Sequence, residues 1–187
     1  MILNTPTTYG LLSKSFHWIS ALAVFFLFGV GYWMMDLDYY SQWYQTAPHW
    51  HESVGILLLI LTVLRLAFKT LQPKVQPLAS HSKVITLQAK LAHYVLYALM
   101  LIMFATGYLV PTADDRAIEV FTWFSVPSLG ELFAEQEDIA GLIHEYCAYT
   151  LIALALLHGL AAVKHHIIDK DDTLNRMLLG SKSSKLD

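Results

Sequence analysis

The sequence predicts an all-α membrane protein, a bundle of four transmembrane helices that run up-down-up-down. Of the 187 residues, 56% are hydrophobic and only 14% are charged, which is too apolar for a soluble domain of this size. The apolar residues also fall into four separate runs, and about 20 residues are enough to cross ~30 Å of hydrocarbon. We therefore expect one membrane domain over residues 1–187, with spans near residues 14–35, 50–70, 88–110 and 139–164.

The first two spans are justified by their length and their aromatic ends. The first apolar run is too long for the h-region of a signal peptide, and YWMMDLD offers no small-residue cleavage site. Trp18 and Trp33 lie at its two ends, where amphipathic rings favour the interface. The second run is short unless it includes Trp50 at one end and Lys69 at the other.

The second half of the chain contains two longer spans and one long loop. The third span, KLAHYVLYALMLIMFATGYLV, is expected to end at Pro111. The extracytoplasmic loop at 111–138 contains AIEVFTWFSV, which is too short to cross a bilayer and is expected to form an interfacial helix or a lid. The fourth span contains HEYCAYTLIALALLH, and residues 165–187 form a polar amphipathic tail.

The basic residues indicate how the bundle is oriented. Eleven of the twelve Lys and Arg residues lie in the amino-terminal segment, in the loop around residues 65–90 or in the tail, and only Arg116 lies on the other side. Short loops rich in Lys and Arg stay in the cytoplasm, so both termini are predicted to be cytoplasmic. The single cysteine, Cys147, allows no intramolecular disulfide, and no C-x-x-C-H motif is present to attach a haem covalently.

The histidines of the spans follow a 14-residue spacing. Fourteen residues are about 21 Å along a helix and, in a left-handed bundle, two heptads on nearly the same face. Each span has a histidine near its start and a small residue, a cation or another histidine two heptads later. These pairs are His17 and Gly31, His51 and Arg65, His93 and Gly107, and His144 and His158.

The expected depth of each histidine in the membrane groups four of them into two facing pairs. Span one starts inside and span four ends inside, so His17 and His158 share the inner level. By the same logic His51 and His144 share the outer level. Two such pairs are what two bis-histidine b haems require, and a six-coordinate haem is an electron-transfer centre with little scope for binding dioxygen.

Other residues of the spans are candidates for contact with a haem. Glycines 29, 31, 55 and 107 would let a flat macrocycle approach the helix backbones. Arg65, at the cytoplasmic border, could pair with a haem propionate. His93 could displace His17 or His158 as a ligand. It could instead serve as a hydrogen-bond donor to a ligand or as a proton carrier, and we favour these roles over ligation.

The remaining polar candidates lie near the two interfaces. His49, after Pro48, is expected at the surface of the outer loop, and His81 is expected to be solvated. Glu52 and Glu145, each beside a proposed ligand, are proton acceptors or merely interfacial charges. The pair His165 and His166 is either a wet helix end or a quinone site, since a titratable donor at the headgroup level can hydrogen-bond a quinone carbonyl.

The chain resembles the bacterial cytochrome b561 family, small four-span dihaem proteins of the inner membrane. The likeness covers nearly the whole chain. It is carried by SKSFHW, WHESVGILLLILTVLRL, LAHYVLY with ATG, IHEYCAYTLIALALLHGLAA and HHIIDKDDTLNRM. The resemblance implies that His17 with His158 binds the inner haem and that His51 with His144 binds the outer one. It also implies ubiquinone as a redox partner near the tail, with His165, His166 and Lys170 at the matching positions.

The resemblance does not identify the electron donor, nor does it say whether the chain is part of a larger complex. Some members of the family oxidise superoxide on the periplasmic side and pass the electron to ubiquinone, but the acidic outer loop here would repel an anion unless Arg116 offsets it. One alternative is a cytochrome b subunit of a larger dehydrogenase or hydrogenase. A second is a haem-free transporter or scaffold. We expect membrane lipid, a quinone and an unidentified electron donor as partners, and no nucleic acid.

Overall fold

The protein is a four-helix bundle with one β-hairpin, as seen in a computed structural model that describes residues 1–178. The part of the predicted tail from 179 to 187 lies outside the described residues. Four helices are long and apolar enough to cross a membrane, which confirms the predicted fold class. The elements are α1 (Leu11–Met34), α2 (Thr46–Leu71), α3 (Lys83–Thr112), β1 (Ile118–Val120), β2 (Phe124–Val126) and α4 (Gln136–Ile167).

Most helix ends lie a few residues beyond the apolar runs that predict them. Helix α2 begins at Thr46, so it takes in Pro48 and His49, and the prediction that His49 lies in a loop is wrong. Proline at the third helical position costs little, since the first-turn N–H groups have no partner within a helix. Helix α3 likewise passes through Pro111 and ends at Thr112, so the proline lies in the last turn, where it removes one backbone hydrogen bond.

The helices pack around a small apolar core at the middle of the bundle. Helix α1 packs mainly on α2, and α3 packs mainly on α4. Leu58, Met100 and Leu151, from α2, α3 and α4, form the buried cluster, and Val24 of α1 packs against it. Large apolar side chains elsewhere on the helices are exposed, such as Leu22 at 69%. An exposed apolar surface around a bundle of this length is what contact with lipid tails requires.

The loop between α3 and α4 forms an antiparallel hairpin, in which Ile118 pairs with Val126 and Val120 with Phe124. The interfacial helix considered from the sequence is therefore wrong, and the hairpin packs on α2 and α3 as a lid would. Ser53, which is completely buried in α2, donates its hydroxyl to Glu119 O at 3.1 Å and accepts from Phe121 N at 2.9 Å. We call this end of the bundle the hairpin face.

The opposite end, where α1 and α3 begin and α2 and α4 end, is the terminal face. The tail after α4 folds back onto it. Lys14 Nζ donates to Leu178 O at 2.8 Å, and Trp18 Nε1 donates to Met177 O at 2.8 Å. The Arg176 guanidinium donates to backbone carbonyls of the amino-terminal segment and of the loop between α2 and α3. These contacts fasten the described part of the tail to the bundle.

Candidate functional site

Two histidines face each other near the hairpin face of the bundle. His51 lies in the first turns of α2 and His144 lies in the third turn of α4. Their ring centroids are 6.1 Å apart and the ring planes are inclined by 69°. The Nδ1 atom of His51 is buried and has no hydrogen-bond partner among the described residues. A Cβ atom at Gly31 would lie 3.4 Å from this nitrogen, so Nδ1 lies on the α1 side of the ring.

A second pair lies toward the terminal face. His17 of α1 and His158 of α4 have ring centroids 6.3 Å apart, with planes inclined by 70°. When two imidazole nitrogens bind one metal ion from opposite sides at about 2 Å each, the ring centroids are about 6 Å apart. Both pairs therefore have the separation that a shared metal ion needs. Helix α4 contributes one member to each pair.

A cavity of about 380 Å³ contains the first pair. Its volume falls within the range of about 300–1,000 Å³ that is typical of cofactor sites. His51, His144, Glu52 and Glu145 contribute polar groups, while the rest of the wall is largely aliphatic and aromatic. Gly31, Gly55 and Gly107 also line it. The cavity can thus take a large, flat and mainly apolar molecule with its centre between the two histidines.

Two of these glycines lie directly against the imidazole rings. A Cβ atom at position 107 would lie 2.9 Å from His144 Cε1, and one at position 31 would lie 3.1 Å from His51 Cε1. The room at these two glycines is therefore taken by the imidazole rings themselves, rather than being open to a macrocycle. At Gly55 a Cβ would meet no atom of residues 1–178 within 4 Å, so this position does leave the cavity open. Gly29 lines none of it.

Thr106 of α3 orients the ring of His144. Its hydroxyl donates to Ile102 O at 2.8 Å, so the hydroxyl oxygen is available to accept from His144 Nδ1, which is 3.0 Å away. This arrangement keeps the proton on Nδ1 and leaves the lone pair on Nε2, as metal-binding histidines require. Sequence reasoning missed Thr106, although it lies in the ATG segment beside Gly107.

Arg65 of α2 lies against the second pair. Its Nη2 atom is 3.2 Å from His17 Nδ1, and its guanidinium lies over the ring of Tyr97 at 5.5 Å. Since arginine can only donate, this contact places the lone pair of a neutral His17 on Nδ1 and the proton on Nε2. Ligation through Nε2 requires the other tautomer, so a metal at this pair would have to displace Arg65 from His17.

His93 lies beside the second pair as a third imidazole. Its ring centroid is 5.1 Å from that of His158, and its Nδ1 atom is 2.7 Å from Ala89 O, to which it can donate. A separation of 5.1 Å is shorter than the roughly 6 Å of two rings that share a metal. His93 is thus a neighbour of the pair, and the geometry favours His17 as the partner of His158.

An ion pair lies at the edge of the cavity on the hairpin face. Arg116 binds the Glu52 carboxylate through both terminal nitrogens, at 2.6 and 3.1 Å. Hydrogen bonding to Glu52 raises the pKa of Arg116 further, so the guanidinium stays charged. Glu52 is consequently neutralised beside His51, whereas Glu145 is exposed. His49, the sequence-level rival of His51, packs edge-on against Phe121 at 6.0 Å.

A polar cluster lies on the terminal face, outside the spans. His81 Nε2 is 3.0 Å and His165 Nδ1 is 2.8 Å from the same oxygen, Asp171 Oδ2. Burial would raise the pKa of Asp171, but hydrogen bonds from Thr173, His81 and His165 outweigh it and hold that pKa well below its usual value. His81 is thus largely shielded, with 14% of its side chain exposed, and the prediction that it is solvated is wrong.

The three residues predicted for a quinone site separate in the structure. His165 belongs to the polar cluster, while His166 and Lys170 are exposed and do not join it. Sequence reasoning missed His81 and Asp171, which are 90 residues apart along the chain. The only local signal for them was a histidine in a polar loop and an acidic tail, and neither indicates a partner.

The comparisons with known proteins agree on one family. A profile described as prokaryotic cytochrome b561 matches residues 8–180, a range that includes all four helices and both histidine pairs. Cytochrome b561 homolog 2 of Escherichia coli (strain K12) is 45% identical over 181 residues, which are 97% of this chain and 96% of that protein. With this match over four membrane-spanning helices, the chain belongs to the prokaryotic cytochrome b561 family, bacterial membrane proteins that bind haem b and transfer electrons.

Proposed function

We propose that this chain transfers electrons across the inner membrane with two b haems, one between His51 and His144 and the other between His17 and His158. The observation that carries the proposal is the spacing of the two pairs, 6.1 and 6.3 Å between ring centroids, with both pairs served by α4. Their members on α4 are 14 residues apart, or about 21 Å along the helix. Membership of a haem b family supports the same reading.

The residues at the first pair fit a haem. Two imidazoles offer the donors, the Thr106 contact of His144 fits ligation through Nε2, and the cavity is mainly apolar. When bound to two imidazoles, haem supplies a one-electron redox centre with no open coordination position. The protein holds the donors in place and keeps water from them with its apolar wall.

Arg65 is the residue at the second pair that must change its contact. Because ligation by His17 requires its Nδ1 proton, the guanidinium has to leave the ring. A guanidinium binds carboxylates in a bidentate manner, so a haem propionate is its natural new partner. His93 keeps its hydrogen bond to Ala89 O and stays a neighbour of His158.

The electron acceptor or donor at the terminal face is ubiquinone. A cavity of about 440 Å³ that is largely open to its surroundings lies there, and His81, Lys83 and Lys90 contribute polar groups to its lining. His165 lies against His81, with 5.0 Å between ring centroids, and can hydrogen-bond a quinone carbonyl and exchange a proton with it. Asp171 holds both rings. We assign the terminal face to the cytoplasm, because the basic residues of the sequence favour that orientation.

Superoxide is the candidate donor at the hairpin face. Arg116, with 54% of its side chain exposed, is the one basic residue that the sequence assigns to this side, and it lies beside the first pair. Its charge is shared with Glu52, so the net attraction for an anion is small. The proposal therefore has two separable parts, electron exchange with ubiquinone and oxidation of superoxide.

Two alternatives are weighed against this proposal. A cytochrome b subunit of a larger dehydrogenase or hydrogenase would use the same two pairs and would differ in its donor. A haem-free transporter or scaffold is disfavoured by membership of a haem b family and by histidine pairs at metal-sharing distance.

The test is the haem content of single-histidine variants. The purified protein is expected to contain two b haems per chain, and His144→Ala and His17→Ala are each expected to retain one. His49→Ala is the matched control, since His49 lies two residues from His51 and packs on Phe121 instead. Two haems in His144→Ala would refute the pairing, and a protein without a reduced-minus-oxidised b band would refute the function. Reduction by superoxide and reoxidation by a ubiquinone analogue then test the two partners separately.

A further inference from the structure

We propose that His81, His165 and Asp171 form a binding site for a divalent transition-metal ion of the zinc type at the terminal face. The three residues come from separate parts of the chain, namely the loop before α3, the last turn of α4 and the tail. This site is distinct from both histidine pairs, and metal binding does not depend on the proposed electron transfer. The site shares its residues with the proposed quinone site, so a bound ion and a quinone would compete for His165.

The donor atoms of the three side chains converge. His81 Nε2, His165 Nδ1 and a carboxylate oxygen of Asp171 all lie within 4.8 Å of one another. Ligands bound tetrahedrally to zinc at about 2.0–2.2 Å are about 3.3–3.6 Å apart. The observed contacts of 3.0 and 2.8 Å to Asp171 Oδ2 are slightly shorter, because hydrogen bonds close the cluster. Small outward movements of the side chains would therefore admit an ion.

The types of donor select the class of metal. Two imidazoles and one carboxylate suit zinc, copper or nickel, whereas magnesium and calcium prefer oxygen ligands alone. Three protein ligands leave a fourth position for water. The backbone N–H of Thr173 donates to Asp171 Oδ1 at 2.8 Å, which fixes the carboxylate while its other oxygen faces the two rings.

Charged side chains of both signs surround the cluster. Lys164 binds both oxygens of Asp169, and Asp169 Oδ2 also lies 2.9 Å from His165 Nδ1. With neutral imidazoles, Asp169, Asp171 and Lys164 together carry one net negative charge. Among residues 1–178, Asp171 forms ion pairs with His81 and His165 and none with a lysine or arginine. Lys83 and Lys90 of α3 line the neighbouring cavity and oppose the ion.

The cluster is also shielded and prearranged. The exposed fractions of the His81, His165 and Asp171 side chains are 14%, 17% and 11%. Side chains that are already held near the required geometry lose little conformational freedom when an ion binds. An ion at this position would join the loop before α3 to the tail, two segments that this cluster already connects.

The experiment measures zinc binding to the purified haem-containing protein in detergent, without a polyhistidine tag and after treatment with a chelator. Equilibrium dialysis should give one tightly bound zinc per chain. X-ray absorption at the zinc edge, which haem iron does not obscure, should show nitrogen and oxygen ligands without sulfur. His81→Ala and Asp171→Asn should each weaken binding at least tenfold. His166→Ala is the matched control, since His166 is exposed beside the cluster, and it should bind zinc as the parent does.

The proposal is overturned if the parent protein binds no stoichiometric zinc, or if His166→Ala weakens binding as much as His81→Ala does. An unchanged b-haem spectrum shows that each variant has folded. Asp171→Asn keeps the shape and a hydrogen-bonding oxygen of Asp171, so its loss of binding reports the missing charge rather than a lost contact. Zinc binding by a protein that exchanges no electrons with quinone leaves the metal site intact and refutes only the quinone assignment.

Discussion

The close contact between Gly107 and His144 gives a sharp test of the first histidine pair. In Gly107→Ala the new Cβ would lie 2.9 Å from His144 Cε1, where ordinary contact begins at about 3.4 Å. The ring or α3 must therefore move by roughly 0.5 Å, which also disturbs the bond between His144 and Thr106. Overpacking of this kind costs about 1–3 kcal/mol. If this cost falls entirely on the haem-bound state, the affinity for haem falls by roughly fivefold to 150-fold.

The assay is haem content per chain, together with a potentiometric titration that separates the two haems. Gly107→Ala is expected to lose haem from the His51 and His144 pair while the His17 and His158 pair is unchanged. Gly31→Ala should act in the same direction but more weakly, because its Cβ would lie 3.1 Å from His51 Cε1.

Gly29→Ala is the control for these substitutions, because a Cβ there meets nothing within 4 Å and the position does not line the cavity. It should bind haem normally and be as stable as the parent or slightly more so, since alanine favours a helix. Full haem content and unchanged potentials in Gly107→Ala would refute the reasoning about this contact.

Three further outcomes are expected. Thr106→Val, which removes the partner of His144 Nδ1, should weaken haem binding at that site by about 10–100-fold, whereas Thr106→Ser should retain it, as measured by haem titration. Ser53→Ala removes two hydrogen bonds to the hairpin backbone, each contributing about 0.5–1.5 kcal/mol, and should lower the stability of the hairpin accordingly, as measured by amide hydrogen exchange of residues 118–126. Arg116→Gln should lower the midpoint potential of the adjacent haem, since the unpaired Glu52 carboxylate stabilises the oxidised iron, and Glu52→Gln should raise it.

Each of these outcomes has a result that would contradict it. Equal haem affinity in the Val and Ser variants at position 106 would mean that the hydroxyl does not orient His144. Unchanged exchange in Ser53→Ala would mean that the hairpin is held mainly by the buried Ile118 and Val120. Shifts of the same sign in Arg116→Gln and Glu52→Gln would show that structure rather than charge governs the potential.

The sequence predicts the histidine pairs well because a polar residue in a lipid-spanning helix is conspicuous and helix geometry is regular. A 14-residue interval and the direction of each span are enough to place His17 near His158 and His51 near His144, and the structure brings these residues together. The ligand roles themselves stay predictions until haem binding by variants is measured.

Contacts between distant segments could not be predicted in the same way. The three-residue strands of the hairpin are too short to show an alternating pattern, so AIEVFTWFSV resembled an interfacial helix. His81 and Asp171 meet only because the tail folds back onto the terminal face. The spacing of residues along the chain does not indicate this contact. Similarly, the spacing shows that Gly107 and Gly31 face the bundle, but only the packed structure shows that imidazoles occupy the space.

The position of α4 in the chain has a consequence for biogenesis. Among the described helices it is the last to leave the ribosome, and it carries one member of each histidine pair. On the proposed ligation, α1 and α2 each supply one histidine to a site that lacks its second ligand until α4 is inserted. Neither haem can therefore be bound by two histidines before the fourth span is in the membrane. Cofactor acquisition therefore coincides with closure of the bundle, and a chain that stalls after α3 remains free of both haems.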